Sequence, residues 1–434
     1  MPPHVVNPAS PQVRARVAAE AERIVDATGE PRFGEHYGRL MLDTWQRTLQ
    51  PGPDGVFVVT GDIPAMWLRD SSAQLRPWLA LAVCPQIDEM VRGVVRMQWR
   101  LIAHDPYANA FNHPDHPASW RRLRHLLDNH AWQTRLDPWI WERKYEVDSL
   151  AFPMLLADAL WKSTGDPSHL DGRVHRGLRR VQRVWRLEQD HQRSDYRFVR
   201  LGAALLRHRR DTLAQWGRGN PVGYTGMTWQ GFRPSDDACR HGYHIPGNLM
   251  AAHALRLGAR WCRELWSDMP LAADCERLAA EITAGVEHFA MLPDGGFAYE
   301  VDGLGGVVAG DDANLPSLLG LPLVAGLDAS DPRYLATRGR ILSSANPWWH
   351  QGTQASGIGS PHTPGRRIWP IGLAVQGLTS PDADERLRLA RLLVDTTGGT
   401  GRMHESFHAD DPSDFTRAWF SWADMTLCEL LASL

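Results

Sequence analysis

The 434-residue sequence reads as one all-α domain over residues 1–434: six helical hairpins closed into a ring, an (α/α)6 toroid with short β-hairpins in its loops. Three observations carry that expectation. Apolar residues recur at helical spacing over several long stretches, strand-like runs are few and short, and polar, aromatic-rich loops return six times, each just ahead of an apolar helix. A ring of hairpins would gather all six loops at one end, around one cleft, on the rigid scaffold where functional loops are usually found.

In chain order, residues 12–28 (QVRARVAAEAERIVDAT) put Val13, Val17, Ala18 and Ile24 on one helical stripe. The same spacing returns over 149–165, 247–266, 271–290, 383–396 and 415–433. VFVVT (56–60) and GGFAYEVDG (295–303) are the best strand candidates, the second reading as a hairpin or small sheet. The six loops are GDIPAMWLRD (61–70), WIWERKYEVD (139–148), TWQGFRPSDDACRHGYHIP (228–246), VVAGDDANLP (307–316), GSPHTPGRRIWP (359–370) and MHESFHADDPSDFTRAW (403–419). Their helices are expected to begin near 71, 149, 247, 317, 371 and 416. Pro- and Gly-rich stretches are short and lie between helices, so nothing divides the chain into domains.

Composition narrows the partners. With 47 Lys and Arg against 50 Asp and Glu, the net charge of −3 lacks the basic excess that nucleic acid or an anionic membrane surface demands. No run of about 18 apolar residues predicts a membrane span. Nineteen Trp against 8 Tyr and 11 Phe suit a heavily aromatic core or a cleft that stacks the flat apolar faces of sugar rings. Five cysteines without a CxxC pair argue against a disulfide framework or a structural zinc site and fit a reducing compartment. The N-terminal residues lack the basic-then-apolar pattern of a secretory signal, so a cytoplasmic location is expected.

Phosphate loops, GxSxG elbows and HExxH are absent, and carboxylates supply the chemistry instead. Asp236 and Asp237 lie beside Arg233 in FRPSDD; Glu405 lies in MHESF between His404 and His408. Adjacent carboxylates repel, so one holds its proton to higher pH. A protonated carboxyl and a separate ionised one are the minimum set for cleaving a glycosidic bond. The competing reading of Ser235-Asp236-Asp237 is a helix N-cap. WLRDSSAQ (67–74) sets Arg69 and Asp70 behind Trp67, a pairing suited to vicinal hydroxyls and a sugar face, or else a helix start capped by Asp70 or Ser71 with Arg69 in a surface ion pair. Lys144, Glu146 and Asp148 in ERKYEVDS read as a solvated charged turn, and His362 sits on a Pro-bounded loop. Asp410, Asp411 and Asp414 match the Mg²⁺-binding pattern DDxxD. Pro412 interrupts it, which favours a loop with an N-cap at Ser413 or Asp414.

Several long segments resemble glycoside hydrolase family 125: TGDIPAMWLRDSSAQLRPWL (60–79), DPYANAFN (105–112), WERKYEVDSLAFP (141–153), MTWQGFRPSDDACRHGYHIPGN (227–248), DDANLPSLL (311–319), GIGSPHTP (357–364) and MHESFHADDPSDFTRAWFSWA (403–423). They run in order from about residue 30 to the C-terminus, with a weaker, Arg-rich stretch over 170–222. The resemblance implies an (α/α)6 barrel and an exo-acting α-mannosidase that removes non-reducing terminal mannose from α-1,6 linkages, with inversion and without metal or other cofactor. It implies a general acid within FRPSDD, Asp236 or Asp237 with Asp236 preferred, and Glu405 as general base. Trp67, Arg69, Asp70, Arg233, Asn314 and His362 look like subsite residues, and the partner implied is a mannoside or N-glycan-derived oligosaccharide. Inversion calls for carboxyls roughly 6.5–9.5 Å apart, leaving room for water. The rival readings are a mannoside-binding protein without strong catalysis, a Mg²⁺-dependent enzyme using residues 410–414, and a phosphorylase, which would need a basic phosphate pocket in place of Glu405.

Overall fold

The structure, a computed structural model, describes residues 7–113, 137–200 and 210–434. Helices dominate it. After α1 (Pro11–Thr28) and α2 (Pro31–Arg47), largely buried helices, one of them a single half-buried turn, alternate with amphipathic ones. The buried set is α3 (Leu68–Ala73), α5 (Val147–Thr164), α7 (Ile245–Trp261), α9 (Leu321–Val324), α11 (Pro370–Leu378) and α13 (Ser421–Ala432). The amphipathic set adds α4 (Pro85–His104), α6 (Gly172–Leu187), α8 (Met269–Phe289), α10 (Pro332–Ile341) and α12 (Ala383–Asp395) to α2.

Patterning explains the division. In α6, Val174, Leu178, Val181 and Trp185 are buried at helical spacing while Arg173, Arg176, Arg180 and Arg183 face solvent, as a helix with one covered face requires. In α5 and α13 apolar residues occupy all sides, which only a helix enclosed by others tolerates. The buried helices pack as neighbours: α3 on α5, α5 on α7, α7 on α9, α11 on α13, and α13 back on α3. Each amphipathic helix with long contacts lies outside them, α4 on α5, α8 on α7, α12 on α11 and α2 on α13.

The first and last loops are stitched together. Ser421 N donates to Thr60 O at 3.1 Å, and Gly61 bridges Phe420. Gly61 has φ of 126°, and a Cβ there would meet Trp419 O at 2.6 Å, so only glycine fits.

Short strands sit in the loops. Three small antiparallel sheets combine β3 (Met66–Trp67), β4 (Ala110–Phe111) and β5 (Ile140–Glu142); β6 (Tyr243–His244), β7 (Glu300–Val301) and β8 (Val307–Val308); and β11 (Arg367–Ile368), β12 (Ser406–His408) and β13 (Asp411–Thr416). Each sheet's first strand runs almost directly into a buried helix: β3 into α3, β6 into α7, β11 into α11. That junction fixes which side chains face the end of the bundle. β1 (Leu49–Gly52) pairs with β2 (Gly55–Val58), and β9 (Trp349–Gln351) with β10 (Ser356–Ile358).

Several expectations need correction. The last helix begins at Ser421, not 415, because β13 occupies Asp411–Thr416; the N-cap proposed at Ser413 or Asp414 is therefore a strand. The helix expected near 317 is the single turn Leu321–Val324. Ser235-Asp236-Asp237 caps no helix, since α7 starts ten residues later behind His244. Asp70 and Ser71 lie inside α3, whose N-cap is Trp67.

Of the two roles expected of tryptophan, the aromatic core is seen. Trp78, Trp99, Trp185, Trp229 and Trp261 are fully buried in the core, while Trp67, Trp369 and Trp422 are buried at the loop end. The five cysteines are buried free thiols. Among the described residues, no helix is long and apolar enough to cross a membrane.

Candidate active site

Five of the six loops meet in a cavity of about 250 Å³. Thr60, Ile63, Trp67, Arg69 and Asp70 come from the first loop and the start of α3; Pro234, Ser235 and Asp236 precede α7; Asn314 precedes α9; His362 and Trp369 precede α11; Glu405, Arg417, Phe420 and Trp422 come from the last loop and the start of α13. They lie on loops that lead into the buried helices, and Asp70 sits in the first turn of α3, where the backbone dipole is positive and a carboxylate is favoured.

The turn at 233–237 separates the two aspartates. Asp236 N donates to Arg233 O at 2.9 Å, Arg233 N donates to Asp237 O at 2.7 Å, and Asp236 adopts φ of 65°, a left-handed conformation that Asp tolerates better than most residues. Asp236 thereby faces the cavity. Asp237 turns aside, and His362 Nδ1 lies 3.1 Å from its Oδ1. Burial lowers the affinity of His362 for a proton, but the hydrogen bond and charge of Asp237 outweigh it and lift the imidazole to about 9. A cationic His362 thus borders the cavity.

Arg69 organises the opposite wall. Its side chain is only 3% exposed, donates to Glu146 Oε2 at 2.6 Å and Asp148 Oδ2 at 3.1 Å, and lies 3.5 Å from Asp70 and 3.7 Å from Asp236. The solvated turn expected at 142–149 is therefore a buried charged layer. Lys144, Glu146 and Asp148 are all enclosed, Lys144 pairing with Asp211 at 2.9 Å and Glu142 at 3.4 Å. Likewise Arg69 is in no surface ion pair. Burial pushes Asp70 up to about 6 against the pull of Arg69. Asn109 Nδ2 donates to Asp236 Oδ1 at 3.1 Å.

Glu405 stands on the last loop just ahead of β12, 3.7 Å from Arg417, which ion-pairs with Asp62 and lies over the Phe420 ring. His404 stacks flat on Phe415 and bonds backbone carbonyls, a packing role. Trp67 Nε1, Trp422 Nε1, Ser235 Oγ and Asp70 Oδ2 are buried in the cavity wall with no hydrogen-bond partner among the described residues. Such atoms cost free energy until something polar meets them.

Of the nine residues singled out from sequence, Trp67, Arg69, Asp70, Asp236, Asn314, His362 and Glu405 line this cavity. Asp237 stands behind His362, and Arg233 is drawn away by an ion pair with the fully buried Glu300. Sequence reasoning missed Asn109, Glu146 and Arg417 as site residues; the apolar flanks Tyr145 and Val147 were the available sign that Glu146 is not on a solvated turn. The aspartates at 410–414 do not converge: Asp410 pairs with Arg366, Asp414 with Arg367, and Asp411 accepts from Ser413. Among the described residues, no group of three or more His, Cys, Asp or Glu side chains is placed to hold a metal ion.

Comparison with known proteins places this architecture. Residues 31–432 match a family profile described as metal-independent alpha-mannosidase, GH125. The Meiotically up-regulated gene 157 protein of Schizosaccharomyces pombe is 36% identical over 419 residues, covering 91% of this chain and 80% of that protein. A metal-independent α-mannosidase of Streptococcus pneumoniae, solved in a non-productive complex with α-1,6-mannobiose, superimposes with a TM-score of 0.91 at 42% identity over 98% of both chains. A bacterial glucoamylase bound to acarbose shares the fold alone, with a TM-score of 0.57 at 11% identity over 94% of this chain and 56% of that one. Matched along nearly its whole length, the chain is a glycoside hydrolase that belongs to family 125, the metal-independent alpha-mannosidases.

Proposed function

We propose that the protein is an exo-acting, inverting α-mannosidase that hydrolyses non-reducing terminal α-1,6-linked mannose, and that its six helix pairs form an (α/α)6 toroid with the cavity at one end. The observation that carries this reading is the shared cavity: Asp236 and Glu405 reach it from different loops, through walls that also present cations and unpartnered polar atoms. Substrate preference draws support from the mannobiose bound to the pneumococcal relative.

In this mechanism Asp236 protonates the leaving oxygen as the C1–O bond breaks. Glu405, ionised, takes a proton from a water whose oxygen bonds C1 from the opposite face. Inversion follows from that single displacement. Trp67 and Trp422 offer faces and N–H donors to the ring, and Arg69, Asp70 and Asn314 hold hydroxyls, which orients the anomeric carbon. Asp237 acts at one remove, keeping His362 cationic beside the reacting centre.

The test is proton NMR of turnover on α-1,6-, α-1,3- and α-1,2-mannobiose. β-Mannose should appear first, from the α-1,6 substrate preferentially. α-Mannose as first product would replace single displacement by a covalent intermediate.

A further inference from the structure

Asp236 is not alone at the end of its turn. Behind it, Glu146 is fully buried at the N-terminus of α5, and two side chains tie its carboxyl to that of Asp236. Asn109 Nδ2 reaches both, at 3.1 Å to Asp236 Oδ1 and 3.4 Å to Glu146 Oε1. Arg69 also spans the two, at 2.6 Å to Glu146 and 3.7 Å to Asp236, and Ser149 Oγ donates to Glu146 Oε2 at 2.9 Å. Two carboxyls joined in this way cannot both be ionised without repulsion, so one proton belongs to the pair.

We propose that Glu146 is the positioning residue of the general acid: it and Asp236 hold one proton in common, and Glu146 keeps that proton in reserve for delivery through Asp236. The proposal rests on Asp236 being the acid.

In the free enzyme the proton lies on Glu146. Burial pushes Glu146 well above the ordinary carboxyl range, while Lys144 and Arg69 hold Asp236 below it despite its own burial. The Asp236 side chain is still 26% exposed. A sugar filling the cavity strips the water from Asp236, and loss of solvation favours its neutral form. The proton then passes from the Glu146 carboxyl to that of Asp236, leaving Glu146 anionic beside Arg69. Asp236 passes it to the leaving oxygen as the C1–O bond breaks, and the pair regains one proton from solvent after products leave. The charged groups facing the pair are Arg69 and Asp70 from α3, Glu142, Lys144 and Asp148 from the adjoining segment, and His362 across the cavity.

The experiment compares α-1,6-mannobiose, whose leaving group needs a proton, with α-mannosyl fluoride, which needs little. In Glu146→Gln the amide can donate to Asp236 but supplies no proton. Expected are a loss of at least about 100-fold in kcat/KM on mannobiose, the low end of general-acid contributions, a loss under about 5-fold on the fluoride, and an acid-ward shift of the basic limb of the pH profile by about one unit. Equal losses on both substrates, or an unmoved basic limb, would overturn the proposal. Asn109→Ala supplies a second reading if Glu146→Gln fails to fold. Removing a donor to the Asp236 carboxylate should move the same limb the other way, and an acid-ward or absent shift counts against the pair. Asp236→Asn tests the underlying assignment by itself: if it loses both substrates alike, the acid lies elsewhere, whatever Glu146 does.

Discussion

Replacing Arg69 by Met keeps much of the side-chain volume and deletes one buried charge with its hydrogen bonds. Two charge-assisted bonds are lost, to Glu146 and Asp148, each contributing about 1.5–3 kcal/mol. Asp70 and Asp236 lose a nearby countercharge as well. Breaking buried pairs of this kind costs about 3–5 kcal/mol, because Asp70, Asp148 and Asp236 stay in the wall without their countercharge, while Glu146, which carries the shared proton, loses a donor. An unfolding entropy of about 2.1 cal/mol/K per residue over 434 residues gives about 0.9 kcal/mol/K. The melting temperature should therefore fall by about 3–6 °C at pH 7.5. The sign of the pH dependence follows from the pairing. Arg69 holds its neighbours' folded-state pKa values below those of the variant, so its contribution is present at neutral and higher pH and shrinks as pH falls and the carboxylates take up protons. Asp70, already at about 6, sets the upper part of that window. Differential scanning calorimetry of both proteins between pH 5 and 8 reads the effect. A deficit below about 1 °C at pH 7.5, or one that grows on acidification, would refute the view of Arg69 as the cation that makes this wall tolerable.

Other outcomes follow from the same geometry. Glu405→Gln should fold with an unchanged melting temperature and lose at least about 100-fold in turnover, checked by mannose release; an active variant removes Glu405 from the base role. Asp237→Asn should let His362 return from about 9 toward its ordinary value, about 6.5. Its cationic fraction at pH 8 then falls from about 90% to about 3%, so kcat/KM should drop by about ten-fold or more at pH 8 and by far less at pH 5.5. Equal losses at both pH values would mean that Asp237 acts otherwise. Excess chelator should leave turnover unchanged, and Asp410→Ala with Asp411→Ala should retain activity within about two-fold, since these side chains pair with Arg366 and Ser413 on β13 and its approach.

What the sequence made legible was what local chemistry controls. Residues 12–28, 271–290 and 383–396 match α1, α8 and α12 closely, because a repeating apolar stripe needs only one covered face to decide the structure. The six loops stood out because polar, mostly aromatic-rich stretches recur just ahead of apolar helices, and five of them meet at the cavity. Hidden from view was everything that depends on a distant partner. Strands of two or three residues such as β3 and β6 exist only because another loop supplies their hydrogen bonds. β13 displaced the expected start of α13 in the same way. Glu146 looked solvated because a charged side chain is normally exposed; its burial is bought by Arg69, far away in the sequence. The roles of Asp236 and Asp237 separate only through a left-handed turn, which neighbouring residues do not announce.

The seam at Gly61 has a consequence for how this enzyme comes into being. The wall bearing Glu405 and Arg417 is held against the wall bearing Asp62 and Arg69 by pairings between opposite ends of the chain. A nascent chain that has emerged only as far as α11 can pack many of its helices yet lacks Glu405, Arg417, Phe420 and Trp422 from its pocket. Catalytic competence should thus arrive abruptly, when α13 docks, and time-resolved recovery of activity during refolding should lag the return of helical signal.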